Sequence, residues 1–255
     1  MTPRKQISAA IAAATTAGRP ALVGFMTAGF PTREGFAANL MAVASACDVV
    51  EIGVPFTDPM ADGTTIQRAS FAALAQGVSL TWILAALRAL PAPPAAPVVL
   101  MSYLNPLLKF GLARLPGEAR AAGVAGFIVP DLPFEESADL RAALEGEGLA
   151  LVQMVSPVTP PERLARLCAA AQGFVYAVTM TGTTGKSVAV PDEVLAYMDR
   201  VRKVSPVPVC AGFGIRTRDQ VALFGRHVDG VVVGSALVEV LERGEDPRAF
   251  LAGLR

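Results

Sequence analysis

The sequence is poor in the side chains that bind metals, form cross-links or carry reactive amines. One histidine, His227, cannot supply the imidazole cluster that a catalytic divalent metal needs, so no metal site is expected. Cys47, Cys168 and Cys210 are odd in number, lack metal-ligand spacing and sit in apolar stretches. They read as buried free thiols in a reducing compartment, with the cytoplasm expected. The only lysines are Lys5, Lys109, Lys186 and Lys203, none in a strand-like run, which argues against a Schiff-base amine at a strand end. An excess of charge is missing too. Lys plus Arg and Asp plus Glu are 22 each, with no basic run, which excludes the usual footprint of a nucleic-acid binder. Unbroken apolar runs of spanning length are also absent. The windows 69–87, 89–108 and 167–185 are uncharged, but the first holds Ser70, Gln76, Gly77 and Ser79. The second holds Pro91, Pro93, Pro94, Pro97 and Pro106, and the third ends in a Thr and Gly cluster. None offers the roughly 20 continuous apolar residues of a membrane helix, so no membrane association is expected.

What is present is core material. Of 255 residues 53% are hydrophobic and 17% charged, too apolar a balance for extended disorder. Short β-branched runs recur, each followed by a turn signal and an Ala/Leu-rich stretch of helical spacing, which is the βα rhythm. Strands are expected at 21–27, 47–53, 97–103, 124–130, 149–155, 173–179, 206–212 and 228–234. Helices are expected to include 33–46, 135–147, 160–171, 192–203 and 217–224, with Thr32, Thr159 and Thr217 as N-caps. Runs such as VDGVVVG fit parallel strands covered on both faces. The length matches the roughly 250 residues of a closed barrel, and no composition break divides it. The expected class is α/β, one (β/α)8 TIM-barrel domain over 1–255. The N-terminus, Arg4 and Lys5 before the apolar 7–14, imitates a signal peptide. The reading adopted is an extra Ala-rich helix, ended by Gly18 and Pro20, over one end of the barrel.

In such a barrel, chemistry is carried at the C-terminal strand ends and the loops beyond them. Strand two reads CDVVEIG, where Glu51 shares a face with Val49 and Gly53 in a strand that should be buried. A carboxylate there is either half of a structural ion pair or an acid–base group whose pKa burial raises. The following loop adds Asp58 and Asp62, and Asp62 before Gly63 also reads as turn chemistry. The alternating ligands of a calcium loop are missing. GTTGKS at 182–187 nearly spells a nucleotide phosphate loop, but Met180 stands where its first glycine belongs. Two glycine-bearing turns, GFGIRT at 212–217 and GSA at 234–236, precede helices after the last two strands, where backbone N–H groups attract anions.

The run EIGVPFTDPMADGTTIQRA at 51–69 closely resembles the most diagnostic segment of tryptophan synthase alpha subunits. Further similar stretches are GFMTAGFP, MSYLNP, VPDLPFEES, YAVTMTGTTG, GFGI and VVVGSALV, so the likeness runs from about 5 to 250. It departs at Met60, where Leu is usual, and at Met180 and Thr183. The resemblance implies retro-aldol cleavage of indole-3-glycerol phosphate into indole and glyceraldehyde 3-phosphate, without a cofactor. It implies that Glu51 and Asp62 are the catalytic pair. Gly185, Gly214, Gly234 and Ser235 would bind the phosphate, and Phe25, Tyr103, Tyr176 and Phe213 would surround the indole. The 182–187 segment would be a lid, with Thr184 near Asp62. Each aromatic also reads as ordinary core; Trp82 and Phe71 are taken as structural, and His227 as remote.

The same resemblance implies a tryptophan synthase beta subunit as partner, in an α2β2 heterotetramer, with pyridoxal phosphate in the partner's own chain. The expected docking rim is Asp58, Pro59 and Met60, then Asn105 and Pro106, then Asp131 and Pro133. Prolines there reduce the entropy lost on docking, and docking next to Asp62 would act allosterically. The same site residues would also serve a stand-alone lyase that releases free indole, and that alternative stays open at this stage.

Overall fold

Eight short strands close on themselves in a computed structural model that describes residues 1–179, 190–212 and 214–255. They are β1 Ala21–Thr27, β2 Val49–Gly53, β3 Val98–Met101, β4 Val124–Ile128, β5 Ala150–Val155, β6 Val175–Val178, β7 Val209–Gly212 and β8 Gly230–Val233. All neighbours are parallel, and β8 pairs with β1 to complete the barrel. Around and below the strands lie α1 Pro3–Thr16, α2 Phe36–Ala44, α3 Thr64–Ala75, α4 Leu80–Arg88, α5 Leu104–Phe110 and α6 Leu115–Ala121. They are followed by α7 Ala138–Gly146, α8 Pro161–Ala170, α9 Asp192–Val204, α10 Arg218–Phe224, α11 Ser235–Glu242 and α12 Pro247–Gly253.

Every expected strand is present; β1 spans the expected 21–27, and the other seven are shorter. The run expected over 97–103 stops at Met101, because α5 starts at Leu104 and Tyr103 becomes its N-cap. Pro106 lies in the first turn of α5, where its missing N–H costs nothing. Asn105 and Pro106 are therefore helical, not loop residues. Of the three threonine caps only Thr217 acts as one, in a capping box with Gln220 at the start of α10. Thr159 Oγ1 accepts from Ser156 N in a turn, leaving Pro160 as the cap of α8. Thr32 Oγ1 accepts from Gly35 N, and α2 begins after Gly35.

The core has two layers. Leu22, Met26, Val50, Ile52, Leu100, Phe127, Leu151 and Val231 face outward onto the helices. Val23, Phe25, Val49, Val99, Val152, Tyr176, Cys210 and Val232 face the barrel axis. The alternation survives a register shift between β3 and β4, where Val98 pairs with Val124 but Val99 with Gly126. Gly126 is required there, since a Cβ would stand 2.9 Å from the Ala150 carbonyl oxygen.

At the N-terminal end the axis is lined by Phe174 and by the small residues Ala21, Ala125, Ala150 and Gly173, and α1 packs beneath them. Ile7, Ile11 and Ala14 are its buried face. Ser8 Oγ donates to the Gly173 carbonyl at 2.6 Å and Arg4 N to Gly148 O at 2.9 Å. The extra helix thus closes the floor and leaves the C-terminal end open. No single helix among the described residues is long and apolar enough to cross a membrane; α3 and α4 qualify only as a pair bent by 82°. Because Ile11 is fully buried, Ile11→Ala should lower stability by about 2–5 kcal/mol, read as an earlier urea midpoint with the barrel's circular dichroism unchanged before it.

Candidate active site

Glu51 projects from the middle of β2 onto the inner face, paired in register with Phe25 of β1 and Val99 of β3. It is 1% exposed, and its Oε2 has no hydrogen-bond partner among the described residues. The structural ion pair entertained from sequence is not formed by any described cation. Burial pushes the Glu51 carboxyl up to about 8, and the nearby Asp62 charge adds to the rise.

Asp62 comes from the loop that joins β2 to α3. Three contacts fold that loop back over the mouth. Ser70 Oγ accepts from Phe56 N at 2.9 Å, Gln67 Nε2 donates to the Asp62 carbonyl at 2.9 Å, and Ala61 N donates to the Tyr103 hydroxyl oxygen at 2.8 Å. The Tyr103 phenol donates in turn to the Asp62 carboxylate, and its ring stacks on Phe56 at 5.1 Å. Burial raises Asp62 to about 6, with the Tyr103 hydrogen bond pulling against that rise. The two carboxyls are therefore set apart, Glu51 holding its proton at neutral pH and Asp62 mostly ionised. Such a pair suits one proton donor and one fixed negative charge.

The aromatic walls depend on glycine. A Cβ on Gly53 would lie 2.6 Å from the Phe25 ring, and one on Gly212 would lie 2.3 Å from the Tyr176 hydroxyl. In both cases an inward aromatic leans over the glycine of the next strand, two residues beyond its own register partner. Met101, Met154 and Val178, half-buried and packed on the inner cluster, complete the mouth. Sequence reasoning passed over these three. Strand alternation extended to the strand ends finds them, because they share faces with Val99, Val152 and Tyr176.

Gly214 has φ +81 with open space where a Cβ would point, and Gly234 caps α11, with Phe25 and Ile66 each 3.8 Å from its Cβ position. Ser235 is the first residue of that helix. Gly214 thus lies beyond the end of β7, and Gly234 and Ser235 at the end of β8 and the start of α11, positions suited to an anion. Thr184, Gly185 and Phe213 lie outside the described residues, as do Met180 and Thr183.

A cavity of about 310 Å³ opens beside the mouth at the ends of β4 and β5, sharing Met154 and Val178 with it and lined also by Asp131, Phe134 and Arg163. Neither Glu51 nor Asp62 lines it, so the chemistry is placed by the carboxylates and not by this cavity. On the rim, Asp58, Met60, Asn105, Asp131 and Pro133 are exposed and Pro106 is half-buried, but Pro59 is buried within its loop. Asp131 Oδ1 accepts from Leu104 N at 2.8 Å, which joins two of the rim segments. His227 lies away from the mouth and pairs with Asp199 at 2.9 Å. Trp82 packs on Phe36 with ring centroids 5.4 Å apart, while Phe71 is half-exposed on α3.

Glu51 binds its proton more tightly in the folded chain than in the unfolded one, where its value is the ordinary 4.5. The stability this confers is full below pH 4.5 and is lost as pH rises through about 8. Glu51→Gln removes that loss, so its melting temperature should exceed the parent's increasingly from pH 5 to pH 9; equal slopes against pH would show that Glu51 titrates normally.

The model of the tryptophan synthase alpha chain family matches residues 11–253. The chain is 45% identical over 243 residues to the tryptophan synthase alpha chain of Solidesulfovibrio magneticus, covering 95% of each. Among solved structures it is similar to tryptophan synthase subunit alpha of Legionella pneumophila, with TM-score 0.87, 30% identity, and 100% and 97% of the two chains covered. It is also similar to a chain of the tryptophan synthase α2β2 complex of Pyrococcus furiosus, with TM-score 0.85, 32% identity, and 92% and 98% covered.

Proposed function

This chain belongs to the tryptophan synthase alpha chain family, and from that premise we propose that it is a carbon–carbon lyase cleaving indole-3-glycerol phosphate into indole and glyceraldehyde 3-phosphate. The observation that carries the reading is Glu51, a buried carboxyl held protonated on the barrel axis beside an ionised Asp62.

Glu51 gives its proton to the ring carbon that bears the side chain, turning the indole into its indolenine tautomer. The bond from that carbon to the side chain then breaks, its electrons returning to the ring. The side-chain hydroxyl becomes the aldehyde and hands its proton to the Glu51 carboxylate, which restores the acid. Asp62 faces the ring nitrogen and stabilises the positive charge that develops there, while Tyr103 orients its carboxylate. Backbone N–H groups at Gly214, Gly234 and Ser235 hold the phosphate, joined by Gly185, and Phe25, Tyr176, Phe213 and the lid residue Thr184 enclose the substrate. Three buried free cysteines agree with a cytoplasmic enzyme.

The partner we infer is a tryptophan synthase beta chain docked over the mouth. Met60 is 83%, Val158 79% and Leu108 50% exposed, and all three lie at or just beyond the C-terminal strand ends. Large apolar side chains exposed on one rim mark an interaction surface. Mixing with a beta chain should give a complex on size-exclusion chromatography and raise indole release severalfold. Full activity alone and no complex would establish the stand-alone lyase.

Glu51→Gln keeps the volume and deletes the proton, so turnover should fall by roughly two or more orders of magnitude. Asp62→Asn should be severely impaired for want of the negative charge. The parent's kcat should rise with pH through about 6, as Asp62 ionises, and fall through about 8, as Glu51 loses its proton. A flat profile, or near-normal indole release by either variant, would contradict the assignment. Gly214→Val should raise KM and weaken inhibition by inorganic phosphate, since a side chain at φ +81 is strained and points where the anion approaches; unchanged KM would place the phosphate elsewhere.

A further inference from the structure

Glu239 lies on the second turn of α11, the helix whose start carries Gly234 and Ser235. Its carboxylate accepts from both terminal nitrogens of the Arg216 guanidinium, the Nη1 contact at 3.3 Å, and from the Thr65 hydroxyl at 3.3 Å. Arg216 follows Gly214 in the loop beyond β7. Thr65 stands three residues after Asp62 in the first turn of α3. One side chain therefore ties together the two halves of the anion cradle and the helix to which the Asp62 loop is joined. A second rung lies one turn further on, where the Arg68 guanidinium donates to both Glu242 oxygens at 3.1 and 2.6 Å. From the first turn of α3, Gln67 donates to the Asp62 carbonyl, so movement of α3 carries Asp62 with it.

These ion pairs are solvent-facing, with the Arg216 side chain 48% exposed, and such pairs contribute little to stability. Their consequence is positional. We propose that Glu239 is a positioning residue that transmits occupation of the anion cradle by phosphate to the Asp62 carboxylate. An anion bound at Gly214 and Gly234 fixes the loop that carries Arg216 and the start of α11. Glu239 then holds Thr65, and with it the start of α3, in the register that presents Asp62. Binding at one site thus favours one arrangement of the other, which is a coupling free energy between two sites.

The inference rests on the proposed lyase reaction, and its test separates the two. Indole-3-glycerol, which lacks the phosphate, is cleaved with and without added inorganic phosphite. In the parent chain phosphite should accelerate cleavage by roughly tenfold, because remote binding energy is used at the reacting centre. Glu239→Gln and Thr65→Val should lose most of that acceleration, yet phosphite should still compete with indole-3-glycerol phosphate as it does in the parent. Thr65→Ser should restore the acceleration, and melting temperatures should change little. The proposal is overturned by equal acceleration in parent and variants, by no acceleration in the parent, or by variants that no longer bind phosphite. If the parent releases no indole from indole-3-glycerol phosphate itself, it is the lyase reading that fails.

Discussion

A carboxyl group buried on the axis of a parallel barrel, without a cationic partner among the described residues, is the constraint on which the site depends. Fully ionised, Glu51 would impose a desolvation cost of several kcal/mol with nothing described to offset it. Neutralisation avoids that cost, so the proton is kept to about pH 8 and the site holds an acid where water would hold a carboxylate. The neighbours preserve this state by what they are not. Phe25, Val49, Val99 and Tyr176 offer no positive charge, and the phenols of Tyr103 and Tyr176 are both pushed well above neutrality, so neither competes for the proton.

The same barrel has to be full at one end and open at the other. Small residues around the N-terminal end accept α1, whose isoleucines complete a floor that the strands alone would leave void. At the other end, glycines at Gly53 and Gly212 let aromatic rings lean across strand boundaries and shape the mouth without blocking it. Packing density below and deliberate gaps above come from one alternating inner face. That is why residues two apart on one strand, Val49 and Glu51, have such different work.

This division explains what was legible in the sequence. The eight strands were, because parallel strands covered on both faces are continuous apolar runs, and so was Glu51, a charge inside one of them. Asp62 was singled out less by its own setting, a loop Asp before Gly, than by the resemblance of the run around it. Strand ends were overestimated where a helix starts within two residues, as at Leu104, because composition does not mark where a ladder stops pairing. Pro59 was placed on the rim with its exposed neighbours Asp58 and Met60; whether a loop residue turns in or out depends on contacts across the fold. Met101 and Met154 carry only the signal of strand alternation, which places them inward without marking them as part of a site, and Glu239, a surface glutamate, carries none until its neighbours are known.

The proposed hold on the phosphate by backbone groups agrees with the same constraint as the buried acid. A lysine or arginine aimed into the mouth would bind the anion strongly, but its charge would also draw the Glu51 and Asp62 pKa values down and deprotonate the acid at neutral pH. Backbone N–H groups and helix N-termini offer attraction without a full charge. Arg216, in the loop beyond β7, is paired with Glu239, which offsets its charge locally. Phosphate recognition through backbone groups, as proposed, is thus compatible with a proton held on Glu51. The two halves of the site, which share no side chain, are constrained by a single electrostatic condition.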